Sequence, residues 1–369
     1  MHSFFLYSIL THCLFMIGFI LIGQLIQRKK EKKRACKKKI SLSEISLIIP
    51  FRNEEKRILH LLKSIVESLE LPKEILFIND HSDDDGEKTI NHLLSNIPHQ
   101  VIHLNNNESG KKSAIKKGIE HSKSKYILTI DADVRFNKMY FKNLETICEN
   151  DLSILPVDIK ANGIYKIFTL DVLLANSLNI SAHSFFRPIM ASGANLLFKR
   201  NSYLKHEDIT KHFHIRSGDD IYLLKKFNDQ KLDIEIYTDK NLRVSTKETQ
   251  SITGMVSQRS RWLSKMRYVK DNYSNSLAFF QGFVSLVYLF FLIVGWNYFS
   301  IEHYLLIILI KGMIDQLSLL PYFYKLSKIK EWSLLPIFIL IHPIYSLIIL
   351  FLATSKKQLW KQRPLIQNI

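Results

Sequence analysis

Residues 46–54 read SLIIPFRNE, residues 74–84 read EILFINDHSDD, and residues 126–133 read YILTIDAD. Each is a short apolar run that stops abruptly at polar residues, the pattern of a buried strand ending at a functional rim. Between the first two, Glu54 to Leu69 carries Ile58, Leu61, Leu62, Ile65, Val66 and Leu69 at helical spacing. Val101 to Leu104 reads as a further strand, and Lys111 to Ser122 as a helix with Ala114, Ile115, Gly118 and Ile119 facing in. Strands alternating with helices predict a mostly parallel α/β sheet covered on both faces. Such sheets bind ligands beyond the carboxyl ends of their strands. The loops there are Pro50-Phe51-Arg52-Asn53-Glu54, Asn79-Asp80-His81-Ser82-Asp83-Asp84 and Asp131-Ala132-Asp133. Three acidic loops are therefore expected on one rim.

Outward from this core the composition changes. The 369 residues include only 12 Gly, which argues against a phosphate site built on a Gly-rich loop, and the formal net charge is +17. Residues 28–39, RKKEKKRACKKK, hold nine basic residues and one acid. This run follows Phe4 to Ile26, which contains no Asp, Glu, Lys or Arg. About 20 apolar residues suffice to cross a bilayer, and a basic cluster after a span stays on the cytoplasmic side. The run thus reads as a membrane-flanking segment rather than a nucleic-acid patch. A cleaved signal peptide fits less well, because the charge follows the apolar core instead of preceding it. Three more apolar stretches come late: Leu277 to Phe299, Tyr304 to Tyr324 and Ser333 to Ala353. The second holds Lys311 and Asp315, one helical turn apart and able to pair. The third holds Pro336 and Pro343 and so reads as kinked or re-entrant. Three full crossings would put the basic residues 356–363 outside, so one non-crossing stretch is favoured. Cys13, Cys36 and Cys148 have no metal-ligand spacing and suggest no disulfide framework.

The expected organisation is a transmembrane anchor at 1–27, a polybasic linker at 28–40, a cytoplasmic α/β domain at 41–270, a membrane region of two or three helices at 271–355, and a basic tail at 356–369.

Asp131 and Asp133 are carboxylates one residue apart after a β-branched strand, and i and i+2 on an extended end point the same way. Paired carboxylates repel unless a cation joins them, and oxygen ligands suit Mg²⁺ or Mn²⁺ with substrate phosphates. A solvated turn with a capping Asp is the plainer alternative. Asp219-Asp220 opens a helix and could be simple capping. Gln258-Arg259-Ser260-Arg261-Trp262 precedes a span and could be an interfacial anchor. His81, His103 and His121 read as surface or packing residues.

Taken together these motifs carry a resemblance. The chain resembles membrane-anchored members of glycosyltransferase family 2, the inverting GT-A enzymes that include cellulose and hyaluronan synthases. The matching motifs run from residue 44 to about 265: Pro50-x-x-Asn53-Glu54, Asn79-Asp80, Gly110-Lys111, Asp131-x-Asp133, Gly193 in Ser192-Gly193-Ala194-Asn195, Asp219-Asp220, and Gln258-x-x-Arg261-Trp262. The resemblance implies a Rossmann-like GT-A domain flanked by transmembrane helices. It implies that Pro50, Asn53, Glu54, Asp80, Lys111, Asp131 and Asp133 bind a nucleotide-sugar, a UDP-sugar, with Glu54 and Asp80 at the nucleoside and Lys111 nearby. Asp133 with Asp131 would hold Mg²⁺ or Mn²⁺. Asp220 would be the general base, Arg261 would neutralise the leaving diphosphate, and Gly193, Asp219, Gln258 and Trp262 would stand on the acceptor or diphosphate side. The acidic pair is Asp-Asp where the family usually has Glu-Asp. His81 stands where the family usually has Gly, which suggests a different loop path.

The expected reaction is transfer of a sugar to a lipid or lipid-linked acceptor at the cytoplasmic membrane face. A processive polysaccharide synthase would need a secretion channel, for which four apolar stretches are few. An inactive membrane scaffold is disfavoured by the presence of Asp133, Asp220 and Arg261. The expected partners are the donor, a lipid or glycan acceptor and membrane lipids, not nucleic acid; the oligomeric state stays open.

Overall fold

The computed structural model describes residues 1–34, 38–208, 218–247, 251–355, 359–360 and 363–364. Over these residues the chain falls into two compact units that interleave along the sequence. One is drawn from Met1–Lys33, Ala161–Ile189 and Glu248–Gln358, the other from Arg34–Lys160, Met190–Lys247 and Leu359–Ile369. The sequence, by contrast, suggested consecutive segments. Cys36 and most of the basic tail lie outside the described residues; Cys13 and Cys148 are buried.

Among the described residues, the α/β unit has a two-residue strand pair at Leu359–Trp360 and Arg363–Pro364 and, before it, nine strands: β1 (Ile45–Phe51), β2 (Glu74–Asn79), β3 (Gln100–His103), β4 (Tyr126–Ile130), β5 (Leu152–Ile154), β6 (Val157–Lys160), β7 (Asn195–Lys199), β8 (Ile234–Ile236) and β9 (Val244–Lys247). Seven form one sheet in the order β3-β2-β1-β4-β7-β5-β8, while β6 pairs with β9. The ladder is parallel except where β7 runs antiparallel to β4 and β5. The order reverses between β1 and β4, and such a switch point opens a crevice at the strands' carboxyl ends. The first four strands and the two helices foreseen from the sequence are all present within one residue of their expected ends, except that the first helix stops at Val66, three residues short of the expected Leu69.

The two faces are packed by different residues of the same strand. Leu47, Ile49 and Phe51 of β1 join one core with Ile58, Leu61, Leu62 and Ile65 of the helix Glu55–Val66. Ile48 faces the other way and meets the helix Lys111–His121, where a Cβ on Gly118 would lie 2.7 Å from Ile48 Cγ2. Glycine at 118 is what allows that helix to approach the sheet. Beyond β4, the buried Tyr140 hydroxyl donates to Asn195 Oδ1 at 2.6 Å, and Asn195 Nδ2 donates to the carbonyls of Pro156 and Leu242. This bond set ties β7 to the loops around β6 and β9. Burial pushes the Tyr140 hydroxyl well above the usual tyrosine range, so it stays a donor.

The other unit is helical. Among the described residues, four of its helices are long and apolar enough to cross a membrane: His2–Lys33, Asn272–Asn297, Ile301–Lys325 and Leu335–Thr354. A π-helical turn at Met16–Leu21 interrupts the first, and Ser181 Oγ donates to the Ile20 carbonyl there at 3.0 Å. Gly23 allows this close crossing, since a Cβ would sit 2.7 Å from Ser181 Cβ. A 3₁₀ segment Gly163–Thr169 leads directly into the helix Leu170–Phe185. The expected pairing of Lys311 with Asp315 is present at 2.5 Å, and His12 Nε2 joins the same carboxylate at 2.9 Å.

Candidate active site

The first two loops are braced against each other by backbone donors. Asn53 N–H bonds Ser82 Oγ at 3.1 Å, and Asp83 N–H returns to Asn53 Oδ1 at 2.9 Å. Glu55 N–H bonds Asp84 Oδ2 at 2.8 Å, and Arg52 Nη1 donates to the Asp80 carbonyl at 3.0 Å. Arg52 and Asp84 are bracing residues that no motif singled out. Pro50 is the next-to-last residue of β1, before the buried Phe51; Glu54 and Asp80 are buried. Asn53 and His81 both adopt positive φ, 50° and 53°. His81 thus takes up the left-handed conformation that favours glycine, held by its ring against the Glu108 carbonyl at 2.9 Å. The substitution for glycine is absorbed in the backbone of a residue tied down by its own side chain.

The third loop corrects one expectation. β4 stops at Ile130, and Asp131-Ala132-Asp133 forms a turn, with Val134 N–H directed at the Asp131 carbonyl at 3.4 Å. The i, i+2 parity of an extended end therefore does not govern these carboxylates. Ala132 is buried, and the two aspartates meet different elements. Asp131 Oδ1 accepts from Lys111 Nζ at 2.6 Å, whereas Asp133 Oδ2 accepts from Thr246 Oγ1 of β9 at 3.4 Å.

Lys111 is the hub. The sequence set it near the nucleoside side; its ammonium lies among carboxylates, 2.6 Å from Asp131 and 3.9 Å from Asp219. Burial works against its charge, but Asp131, then Asp219 and Asp220, outweigh that cost and hold the group well above the usual lysine range. Gly110, at φ 92°, turns the chain into the helix that Lys111 begins. Gly193 completes the cluster. Its N–H donates to Asp220 Oδ2 at 3.0 Å, and Asp220 Oδ1 accepts from Ile221 N–H at 2.9 Å. Asp220 stands in the first turn of the helix Asp219–Asp229, where the helix dipole favours negative charge. The site thus gathers Lys111, Asp131, Gly193, Asp219 and Asp220 from four separate stretches.

Among the described residues no three His, Cys, Asp or Glu side chains gather as a metal cage. Asp131 and Asp133 supply one or two carboxylates, the donor set with which Mg²⁺ is typically held when substrate phosphates complete its shell. The residues fit a cation shared with substrate and not one enclosed by protein.

Gln258, Arg261 and Trp262 belong to the helix Ile252–Val269 of the helical unit. The intervening Arg259 and Ser260, which the motif leaves unspecified, are both buried, and Arg259 makes the polar contacts. Its Nε and Nη2 donate to Asp171 at 2.9 and 3.3 Å, Tyr345 Oη donates to the same carboxylate at 3.0 Å, and Gln258 Oε1 accepts from its Nη1. Its guanidinium also lies 4.8 Å from the Trp262 ring centroid. Burial pushes the Arg261 guanidinium below the usual arginine range; arginine stays cationic nonetheless.

With this geometry in place, residues 46–166 match the family model described as Glycosyl transferase family 2. Over that stretch the chain is similar to family 2 glycosyl transferases. Two 4,4'-diaponeurosporenoate glycosyltransferases of Staphylococcus aureus, from strains bovine RF122 / ET3-1 and USA300, are each 32% identical over 114 residues. Those matches cover 31% of this chain and 30% of each relative, so the chain spans under a third of their length. A mannosyltransferase of Pyrobaculum calidifontis, solved with GDP-Man and Mn²⁺, superposes with a TM-score of 0.51 at 13% identity, over 90% of this chain and 98% of that one. That likeness concerns the fold, and it agrees with the GT-A architecture expected for a family 2 domain.

Proposed function

We propose that the protein transfers a sugar, with inversion, from a nucleoside-diphosphate donor, a UDP-sugar, to a lipid or lipid-linked acceptor at the cytoplasmic face of the cell membrane. The observation that carries this reading is the meeting of Lys111, Asp131, Asp219 and Asp220 around Gly193 within one α/β unit. The S. aureus relatives, named for an apolar carboxylic-acid acceptor, and the four apolar helices support the lipid side of it.

In this reading Glu54 and Asp80 serve the nucleoside end, and the braced loops around Asn53 keep that end rigid. Asp220 takes the proton of the acceptor hydroxyl as its oxygen bonds to the anomeric carbon. The bond from that carbon to the diphosphate breaks on the opposite face, which inverts the centre. Gly193 and Ile221 N–H groups fix the carboxylate, so little reorganisation accompanies proton transfer. The family resemblance gives Arg261 the role of neutralising the charge that collects on the departing diphosphate. A divalent cation, Mg²⁺ or Mn²⁺, held by Asp133 and Asp131, would supply Lewis-acid stabilisation of that same charge.

The test is mass spectrometry of lipids from membranes expressing the wild type and Asp220→Asn. A glycosylated lipid present only with the wild type is expected. Identical lipid profiles would reject the lipid acceptor.

A further inference from the structure

Lys111 is placed against local preference. It is the first residue of the helix Lys111–His121, where the helix dipole disfavours a cation. Its side chain is only 17% exposed, so it does not simply reach into water. What holds it is the carboxylate cluster: Asp131 at 2.6 Å, Asp219 at 3.9 Å, and Asp220 behind them. Room for the ammonium depends on Gly193, because a Cβ there would fall 3.0 Å from Nζ and 2.8 Å from Asp219 Oδ2. A fixed cation has thus been built into the cluster, bonded to one of the two carboxylates that the proposed function gives to a divalent ion.

We propose that Lys111 is the resident counter-ion of this cluster and that it keeps divalent metal from binding by itself, so that metal enters only together with a donor diphosphate. This rests on the donor-site reading above. A divalent ion on Asp131 would sit within a few ångströms of the ammonium and share its carboxylate. Repulsion at that range in a partly buried site is large. Without nucleotide, Lys111 already offsets the charge that would draw the ion. A diphosphate adds negative charge and new oxygen ligands, and the balance then favours the metal. The lysine thereby couples two binding events without any movement of the backbone.

The test measures Mn²⁺ binding to the purified full chain by electron paramagnetic resonance of free Mn²⁺, with and without UDP. The wild type should bind Mn²⁺ weakly alone and tightly with UDP. Lys111→Met should bind Mn²⁺ alone about ten-fold or more tightly than the wild type, while Lys111→Arg, which keeps the charge, should stay close to the wild type. If Lys111→Met does not fold, Lys111→Gln makes the same comparison. Mn²⁺ affinity that needs UDP but is unchanged or weaker in the uncharged variant overturns the lysine's role and leaves the donor-site reading standing. Equal Mn²⁺ affinity of the wild type with and without UDP also overturns that role. If no form binds Mn²⁺ even with UDP, the metal reading fails and the proposal fails with it.

Discussion

At the scale of single residues, Asp219 and Asp220 are neighbours with different surroundings. Asp220 receives two backbone N–H groups, and Asp219 lies 3.9 Å from Lys111. If Asp220 is the base, Asp220→Asn should lower turnover by about 10²–10⁴-fold, while nucleotide-sugar binding in a filter or calorimetric assay stays near the wild type. Asp219→Asn should cost less. Retention of more than about a tenth of turnover by Asp220→Asn would remove it from that role. Gly193→Val should be harmful for a steric reason, since even its Cβ would approach Asp219 Oδ2 to 2.8 Å. A loss of about 1–3 kcal/mol in chemical denaturation is expected, with nucleotide affinity reduced as the cluster spreads. The sequence made the identity of these residues legible, but not their company. Nothing in Gly110-Lys111 says that this lysine turns toward Asp131. That depends on how the helix Lys111–His121 packs on Ile48, a contact visible only once the sheet exists. The turn at Asp131-Ala132-Asp133 was missed for a related reason: strand periodicity carries no information beyond the last paired residue, and β4 ends at Ile130.

At the scale of elements, apolar spacing was the reliable signal. β1, β2 and β4 bury nearly every apolar side chain they carry, and the helix Glu55–Val66 buries Ile58, Leu61, Leu62 and Ile65 but leaves Val66 exposed at its end, where the expected apolar face runs past the helix to the exposed Leu69. β5, β8 and β6 escaped notice because they have three, three and four residues, too few to show a period, and are fixed by their ladder partners. In the helical unit, Lys311 and Asp315 are both buried, with side chains 5% and 7% exposed. Replacing one partner should strand a buried charge. Asp315→Leu should cost about 3–5 kcal/mol, seen as a lowered melting temperature in detergent, and the double variant Lys311→Met/Asp315→Leu should recover most of it. A double variant as unstable as the single one would mean that His12 or Tyr288, whose ring lies 4.2 Å from Lys311 Nζ, depends on the charge as well. The clamp of Arg259 on Asp171 makes a parallel case: it holds the helix that carries Gln258, Arg261 and Trp262, yet Arg259 was passed over because a motif names only the residues that relatives share.

At the scale of the whole molecule, the proposed cytoplasmic orientation can be read by labelling. Cys148 is 4% exposed and so is a poor reporter in the folded protein. A cysteine placed at the exposed Lys123 should react with an impermeant maleimide only after cells are opened. Reaction in sealed cells would invert the topology. The interleaving of the two units also bears on how the chain is made. β4 and β5 are separated in the finished sheet by β7, and β5 has β7 and β8 as its ladder partners, both of which lie later in the sequence. Translation at about 5–20 residues per second places the 82 residues from Ile154 to Ile236 roughly 4–16 s apart. Throughout the first part of that interval β3, β2, β1 and β4 can pair, but the outer edge of β4 stays open, and an open edge is a template for the wrong partner. The segment synthesised meanwhile includes Ala161–Ile189, which joins the helical unit. A ribosome stalled near residue 160 should therefore release the most aggregation-prone fragment of this protein, and one released after Lys199, with β7 in place to cover that edge, should stay dispersed longer.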